Sequence, residues 1–535
     1  MSQSFKGNSK IGRHAFTSVS TAVMGMGTGV VLDAIVSAFF GLGWQTDAYY
    51  ISFTIPTVLI TIMSLQSTRV VQALFIARKE KHGEEEAWRY LSLIMTAGLV
   101  VAVAICGVGV AISPLIIHAQ ALGTTAQELH LANLLSICLF CILPLYFPIT
   151  VMRAAMQCFG IFGWSGAMKF FENCFKIGFL LLLGRKFGVK ALIFGTFVSV
   201  ICQIAIYYSI LRKKGYRYRP AFSLTNPDVI YAGKLMLYPL AGQMCSVCVE
   251  GLNNTLCSAL GAGNVTALRL GTRIIDSFAG LLPASIVIAA MPTVTASFAK
   301  NDMDGVKKNL QHVLYLLLLV TIPLSVWLGL MHQPLIAFLY QRQKFSAADT
   351  TLVSTIMLLM IPYMLMGRIW GMMELPFFAQ HNTRTPLMGS VISAATYVTA
   401  SLCLSHALGV YGIPVGRSLA YSISPFILWY LLHRKMGSIG FKSVLVPASK
   451  ICVASAVMAG FILVGQRVTA AVPVTGLLRR TLAMGLPSLT GGVGLGISLL
   501  GFGLVDPAMF NKRAPIVGRW VARLTEFLQF SRTPL

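Results

Sequence analysis

The sequence predicts an all-α polytopic membrane protein with about fourteen transmembrane helices, and three observations carry that prediction. The first is composition: of 535 residues, 56% are hydrophobic and only 11% are charged, and the mean hydropathy is +0.75. A soluble domain carries roughly a quarter charged residues, so this chain lacks the polar surface to face water and a soluble globular enzyme is excluded. The second is the recurrence of apolar runs of about 20 residues, the length that crosses a hydrocarbon core of about 30 Å. The third is a lopsided charge, 42 Lys and Arg against 17 Asp and Glu, net +25. In a soluble chain that balance points to nucleic acid. In a chain this apolar it points to basic loops on the cytoplasmic face, and no nucleic-acid partner is expected.

Taken in order, the first six spans lie near 15–42, 46–77, 90–117, 129–153, 164–184 and 187–211. The first follows a basic segment, MSQSFKGNSKIGRHAF, with no A-x-A-like cleavage site, and is expected to remain as the insertion signal. The second starts beyond Gly41 and Gly43, glycines that permit a tight reversal. The third follows the acidic run Glu84–Glu86. A second set of six lies near 229–259, 264–298, 309–332, 350–377, 385–407 and 411–432, and two more near 446–466 and 481–505, the last rich in glycine. No intervening segment is long enough for a soluble domain. The expected organisation is a six-helix half at 1–220, a second at 221–440, two extra helices at 441–510 and a basic tail at 511–535.

Basic residues test the orientation. With the N-terminus inside, 25 Lys and Arg fall on cytoplasmic segments, Arg153 among them; 8 fall outside and 9 within spans. That asymmetry favours both termini in the cytoplasm and an even number of spans. The outside clusters, Arg185–Lys190, Arg342–Lys344 and Arg467–Arg480, run against it.

Two pairs of segments about 220 residues apart are alike. Gly41-Leu-Gly-Trp-Gln-Thr46 matches Gly261-Ala-Gly-Asn-Val-Thr266, and the charged stretch 73–91 matches 292–310. An even six-helix period keeps both halves in one orientation, which makes a parallel repeat with a pseudo-two-fold along the membrane normal. Two bundles around a central cavity are the usual build of an alternating-access transporter.

Charges within spans are costly, at least about 2.5–3.5 kcal/mol each on insertion scales. Lys169, Arg417 and Lys450 are expected to snorkel to the interface. In the eighth span Arg269, Arg273 and Asp276 share one helical face. That face suits a wet cavity, where two guanidinium forks match the oxygens of a pyrophosphate; an Arg273–Asp276 ion pair joining helices is the alternative. Arg69, in the inner half of the second span, is a further cavity cation, and Glu172 and Lys176 form an i,i+4 pair.

Nothing in the chain resembles catalysis. There is no Gly-rich phosphate loop ahead of Lys-Ser/Thr. His118, His130 and His381 stand singly, and the eleven cysteines, Cys138/Cys141 and Cys245/Cys248 included, lie mostly in apolar runs as packing residues. Neither an enzyme, a metal site nor a cofactor is expected.

The stretch Asp33-Ala-Ile-Val-Ser-Ala-Phe-Phe-Gly41-Leu-Gly-Trp-Gln-Thr-Asp47-Ala-Tyr-Tyr-Ile-Ser-Phe-Thr-Ile-Pro56 is similar to the opening of the MurJ/MviN lipid II flippases. Leu339-Tyr-Gln-Arg-Gln-Lys-Phe345-Ser-Ala-Ala-Asp349 and Phe377-Phe-Ala-Gln-His-Asn-Thr-Arg-Thr-Pro386 resemble later parts of the same family, so that the likeness runs over roughly 15–510.

That resemblance implies a member of the multidrug/oligosaccharidyl-lipid/polysaccharide exporter superfamily in the bacterial inner membrane. It would move an undecaprenyl-pyrophosphate-linked peptidoglycan precursor from the inner to the outer leaflet by alternating access, driven by an ion gradient or membrane potential. Its partners would be that lipid-linked precursor, membrane lipid and cell-wall synthesis enzymes, and its last two helices would form a groove for the lipid tail. An exporter of another lipid-linked oligosaccharide, or of small molecules, is the alternative.

The resemblance also has departures. The family places arginines at Met26, Leu32 and Ile60, a glutamate at Leu65 and an acid at Thr272. Arg273 and Asp47 carry over, and Arg69 and Arg269 are expected to restore positive charge. The candidate site is therefore Arg273, Arg269 and Arg69 for the pyrophosphate, with Asp33, Asp47 and Asp276 as gating or charge partners.

Overall fold

The computed structural model describes residues 2–220, 247–281, 283–380, 382, 384–437, 440, 442–472 and 476–504, with some side chains, chiefly within 2–22 and 62–73, left aside. No strand occurs among the described residues. The helices are α1 Ser2–Phe40, α2 Trp44–His82, α3 Glu84–Gln120, α4 Ala126–Cys158, α5 Phe162–Phe187 and α6 Lys190–Arg212. A seventh, α7, covers 247–259. There follow α8 Asn264–Leu281, α9 Pro283–Ala299, α10 Met303–Tyr340, α11 Ala347–Leu359, α12 Ile361–Ala379, α13 Arg384–Leu408, α14 Gly412–Met436, α15 Lys442–Ala471 and α16 Gly476–Gly501. Nine stretches among the described residues are long and apolar enough to cross a membrane, one of them holding both α13 and α14. Large aliphatic side chains stand outward, with Leu182 80%, Leu115 73% and Leu489 70% exposed. Such apolar exposure belongs against lipid, and an all-helical backbone satisfies its own hydrogen bonds there.

Two expectations are corrected. The tenth span is broken at Met360 (φ −92°, ψ −2°), with Pro362 in the first turn of α12. Arg153 is not a loop charge: α4 runs on to Cys158 and carries it within the helix. The start of the seventh span, with Lys234, and the tail 511–535 lie outside the described residues.

The chain forms two compact units. Unit 1 holds Met1–Leu270 with Arg342–Asp349, and unit 2 holds Gly271–Gln341 with Thr350–Leu535. In unit 1, α2 packs on α4, α1 on α5, α3 on α4 and α5 on α6. The α1–α5 seam is pinned where Asn173 donates to the Gly25 carbonyl (3.1 Å) and to Thr28 Oγ1 (3.2 Å). At the charged end of α2 the rings of Phe75, Trp88, Phe159 and Tyr216 form a pile with centroids 5.1–5.9 Å apart.

In unit 2, α12 packs on α14, α13 on α14, α15 on α16 and α10 on α15. Leu310, Leu317, Trp370, Phe377 and Leu428 make one buried core. Met331, Met458 and Ile462, with Trp327 and Met484 against them, make a second, which seats α15 and α16 on α10. Arg480, one of the cations expected outside, donates to the Gln341 carbonyl at the C-terminal end of α10. A guanidinium there complements the negative end of the helix, which accounts for this charge independently of topology.

The glycines of α16 divide by face. A Cβ at Gly491 would stand 2.5 Å from Ile462 Cγ1, and one at Gly494 would stand 2.7 Å from Phe461 Cδ2. Those two positions admit close approach of α15, whereas Gly485, Gly492 and Gly496 have nothing within 4 Å. Small residues permit close helix contact where the bilayer supplies no hydrophobic drive between helices.

Candidate functional site

The matched turns predicted as a repeat have the same plan. Gly41 and Gly261 both adopt left-handed backbone, φ +68° and +116°, and a Cβ at Gly41 would meet the Lys344 carbonyl oxygen at 2.9 Å. Two residues on, Gly43 and Gly263 precede α2 and α8, and Thr46 and Thr266 stand at the third helical position. At α2 the capping is internal: Thr46 Oγ1 accepts from the Gly43 N–H at 3.1 Å.

At α8 the capping group comes from another helix. Asp47, in the first turn of α2 and 1% exposed, accepts from the Gly263 N–H at 2.6 Å through Oδ2. Its Oδ1 accepts from the Thr266 N–H (2.8 Å) and from Thr266 Oγ1 (2.5 Å). A helix begins with N–H groups that lack intrahelical partners and with partial positive charge. One carboxylate answers both. A Cβ at Gly263, whose φ is +91°, would meet Leu42 at 3.2 Å, so the two turns touch where only glycine fits.

The lock continues below. Asn254 of α7 donates to Thr54 Oγ1 (3.0 Å) and Gln120 Oε1 (2.8 Å). Ser258 Oγ donates to the Gln120 carbonyl (3.0 Å), and Thr255 Oγ1 to that of Ala119 (3.0 Å). Within unit 1, α2, the end of α3, α7 and the start of α8 are thus joined by polar bonds, all buried but that of Thr255. Beside them opens a cavity of about 690 Å³ walled by Trp44, Thr124, Glu128 and Ala262.

The remaining expected site residues fall in separate places. Asp33 accepts from Tyr50 Oη at 3.2 Å. Arg269, Arg273 and Asp276 all lie on α8, both arginines half-buried. Asp276 accepts from Tyr363 Oη (3.3 Å), which in turn accepts from Arg417 (3.3 Å), whose guanidinium lies 4.4 Å from the Tyr363 ring centre. Arg417 is therefore engaged within the protein, not snorkelling. Arg69 belongs to α2, but its side chain lies outside the described residues, as does His381. The Glu172–Lys176 pair forms at 2.6 Å, with Lys176 3% exposed.

Sequence reasoning missed two cations. Arg153 and Lys169, one counted in a loop and the other expected to snorkel, both line a cavity within unit 1. The available signal was Arg153's position five residues inside the end of an apolar run. Tyr363, too, was unforeseen, because a lone tyrosine in an apolar helix carries no sequence signature of its partners.

Comparison with known proteins follows this geometry. The family model described as "Lipid II flippase MurJ" matches residues 36–483. The probable lipid II flippase MurJ of Vibrio cholerae is 22% identical over 485 residues, 88% of this chain and 91% of that protein. The lipid II flippase MurJ of Thermosipho africanus is 24% identical over 407 residues, covering 76% and 81%. A solved lipid II flippase MurJ in an inward closed conformation superposes with a TM-score of 0.72 at 18% identity, covering 91% of this chain and 98% of that one. An inward-facing multidrug resistance MATE transporter superposes with a TM-score of 0.62 at 12% identity, covering 78% and 95%. These structural likenesses extend the fold to transporters of other cargo.

Proposed function

Since this chain belongs to the lipid II flippase MurJ family, we propose that it moves lipid II from the inner to the outer leaflet of the bacterial inner membrane by alternating access. The reading takes both termini as cytoplasmic, the halves as 1–220 and 221–440, and the span total as fourteen. It assigns the pyrophosphate to Arg273, Arg269 and Arg69. It assigns gating to Asp47, with Asp33 and Asp276 as charge partners.

The observation that supports it best is the Asp47 lock. A carboxylate of α2 that caps α8 is a set of bonds made in one state and broken in another, which is what a two-state gate needs. In the proposed cycle these bonds keep the outer side shut while the substrate headgroup enters from the cytoplasmic leaflet. Their release opens the outer side. The buried charge makes the closed state firm, and the small number of bonds keeps it reversible.

Complementation of a strain depleted of its lipid II flippase, read together with an outer-leaflet lipid II assay, tests this. Rescue with restored outer-leaflet lipid II is expected. Stable membrane expression without rescue would overturn the reading in favour of a different lipid-linked oligosaccharide. That second reading draws on Met26, Leu32 and Ile60, apolar where the family pattern carries arginines.

A further inference from the structure

Within unit 1, α2, α4, α5 and α6 enclose a cavity of about 330 Å³, in the size range of small-ligand sites. Its wall is unusual for the interior of a bundle this apolar. Arg153 of α4, Lys169 of α5 and Glu172 of α5 line it. Lys176 stands behind Glu172 at 2.6 Å, and Lys169 lies 3.3 Å from the same carboxylate. Two lysines therefore share one acid, and Arg153 brings a further cation to the same wall. Surplus charge in a membrane bundle is expensive unless an anion offsets it.

The cavity also has donors without acceptors. Gln203 of α6 is 3% exposed and lines the wall, and its Nε2 has no hydrogen-bond partner among the described residues. The Thr57 hydroxyl of α2 is in the same position. A buried polar group left unpaired is costly, so a wall that leaves two open is shaped for something that accepts.

We propose that this cavity is an oxyanion site and that it takes the pyrophosphate of the lipid-linked substrate; the assignment rests on the flippase reading above. The guanidinium of Arg153 and the ammonium of Lys169 supply charge, and Gln203 and Thr57 supply neutral donors. Glu172 does not repel the anion, because Lys176, buried and in contact, keeps it neutralised. Lys169 has a side chain 53% exposed. It exchanges Glu172 for the ligand without leaving a bare carboxylate behind. The site is distinct from the α8 arginines.

The test uses the full-length protein in phosphatidylcholine nanodiscs, with undecaprenyl pyrophosphate, undecaprenol and inorganic pyrophosphate as probes. Wild type is expected to bind undecaprenyl pyrophosphate far more tightly than undecaprenol. Lys169→Gln and Arg153→Gln are each expected to weaken it about ten- to hundred-fold, the range for a lost hydrogen bond to a charged group, and Lys169→Arg to retain it. Gln203→Leu, which fills the same volume without a donor, is expected to weaken it about ten-fold and guards against misfolding of the charge variants. Unchanged affinity in both Lys169→Gln and Gln203→Leu overturns the site while leaving the flippase reading standing. Inorganic pyrophosphate binding as tightly as the lipid form would overturn the assignment to the lipid substrate. Failure of wild type to bind undecaprenyl pyrophosphate, together with failed complementation, overturns the flippase reading itself.

Discussion

Replacing Asp47 with asparagine removes one of the two oxygens that hold the start of α8 and turns an NH₂ toward a donor. If the amide oxygen keeps Thr266, the new Nδ2 faces the Gly263 N–H that now lies 2.6 Å from Oδ2. The loss is one hydrogen bond to a charged group, about 1.5–3 kcal/mol, plus the charge at the helix end, about 0.3–1 kcal/mol. Allowing for water reaching the freed N–H, the closed state weakens by about 2–3 kcal/mol, or roughly 30- to 150-fold in the gate equilibrium. Cys257 reports this directly. It is fully buried in α7, next to Ser258 and one turn from Asn254 of the same lock. Its reaction with a membrane-impermeant maleimide, followed by mass spectrometry of the Cys257 peptide in spheroplasts, is expected to rise by that factor in Asp47→Asn. Thr266→Val, which keeps both backbone bonds, is expected to raise it about ten- to hundred-fold, as for one hydrogen bond to a charged group. Wild-type labelling rates in both variants, at wild-type expression, would refute the gate.

Three further outcomes follow from the same structure. Gly41→Ala places a Cβ 2.9 Å from the Lys344 carbonyl at φ +68°; thermal unfolding in detergent is expected to show a loss of about 1–2 kcal/mol from the backbone conformation alone. Glu172→Gln leaves Lys176 buried without its counter-charge and is expected to cost about 3–5 kcal/mol, with Glu172→Gln/Lys176→Met recovering most of it; equal stability of the single and double variants would argue against the pair. Gly491→Leu and Gly494→Leu are expected to lower the melting temperature sharply by driving α15 and α16 apart, whereas Gly492→Leu, with open space around it, is expected to leave it near wild type.

The helical class was legible because hydropathy sums over about 20 residues and is insensitive to single errors. That same averaging hid the break at Met360, since one proline changes a backbone hydrogen bond without changing the mean. Asp47 was legible as a candidate gating or charge partner through its motif. Its partners on α8 were not, because Ala267 occupies the matching place in the second turn and gives no hint of where the carboxylate reaches. Arg153 and Lys169 were not legible as cavity residues for another reason. A long cationic side chain near a span end looks alike whether it reaches outward to headgroups or inward to a cavity, and only the neighbouring Gln203 and Glu172, on two different helices, decide between them. Ile60 lines that cavity too. Arg153 of α4 and Lys169 of α5 line the same space.

The divided glycine face of α16 has a consequence for how the last helices are held. One face is closed by Ile462 and Phe461, while Gly485, Gly492 and Gly496 leave bare backbone on the other. Nothing in the described protein fills those gaps, so in a bilayer acyl chains would lie against bare backbone there. The cohesion of this hairpin is then set partly by the length and unsaturation of the surrounding lipid, and a change of growth temperature that remodels the bilayer alters the grip on these helices without changing a residue.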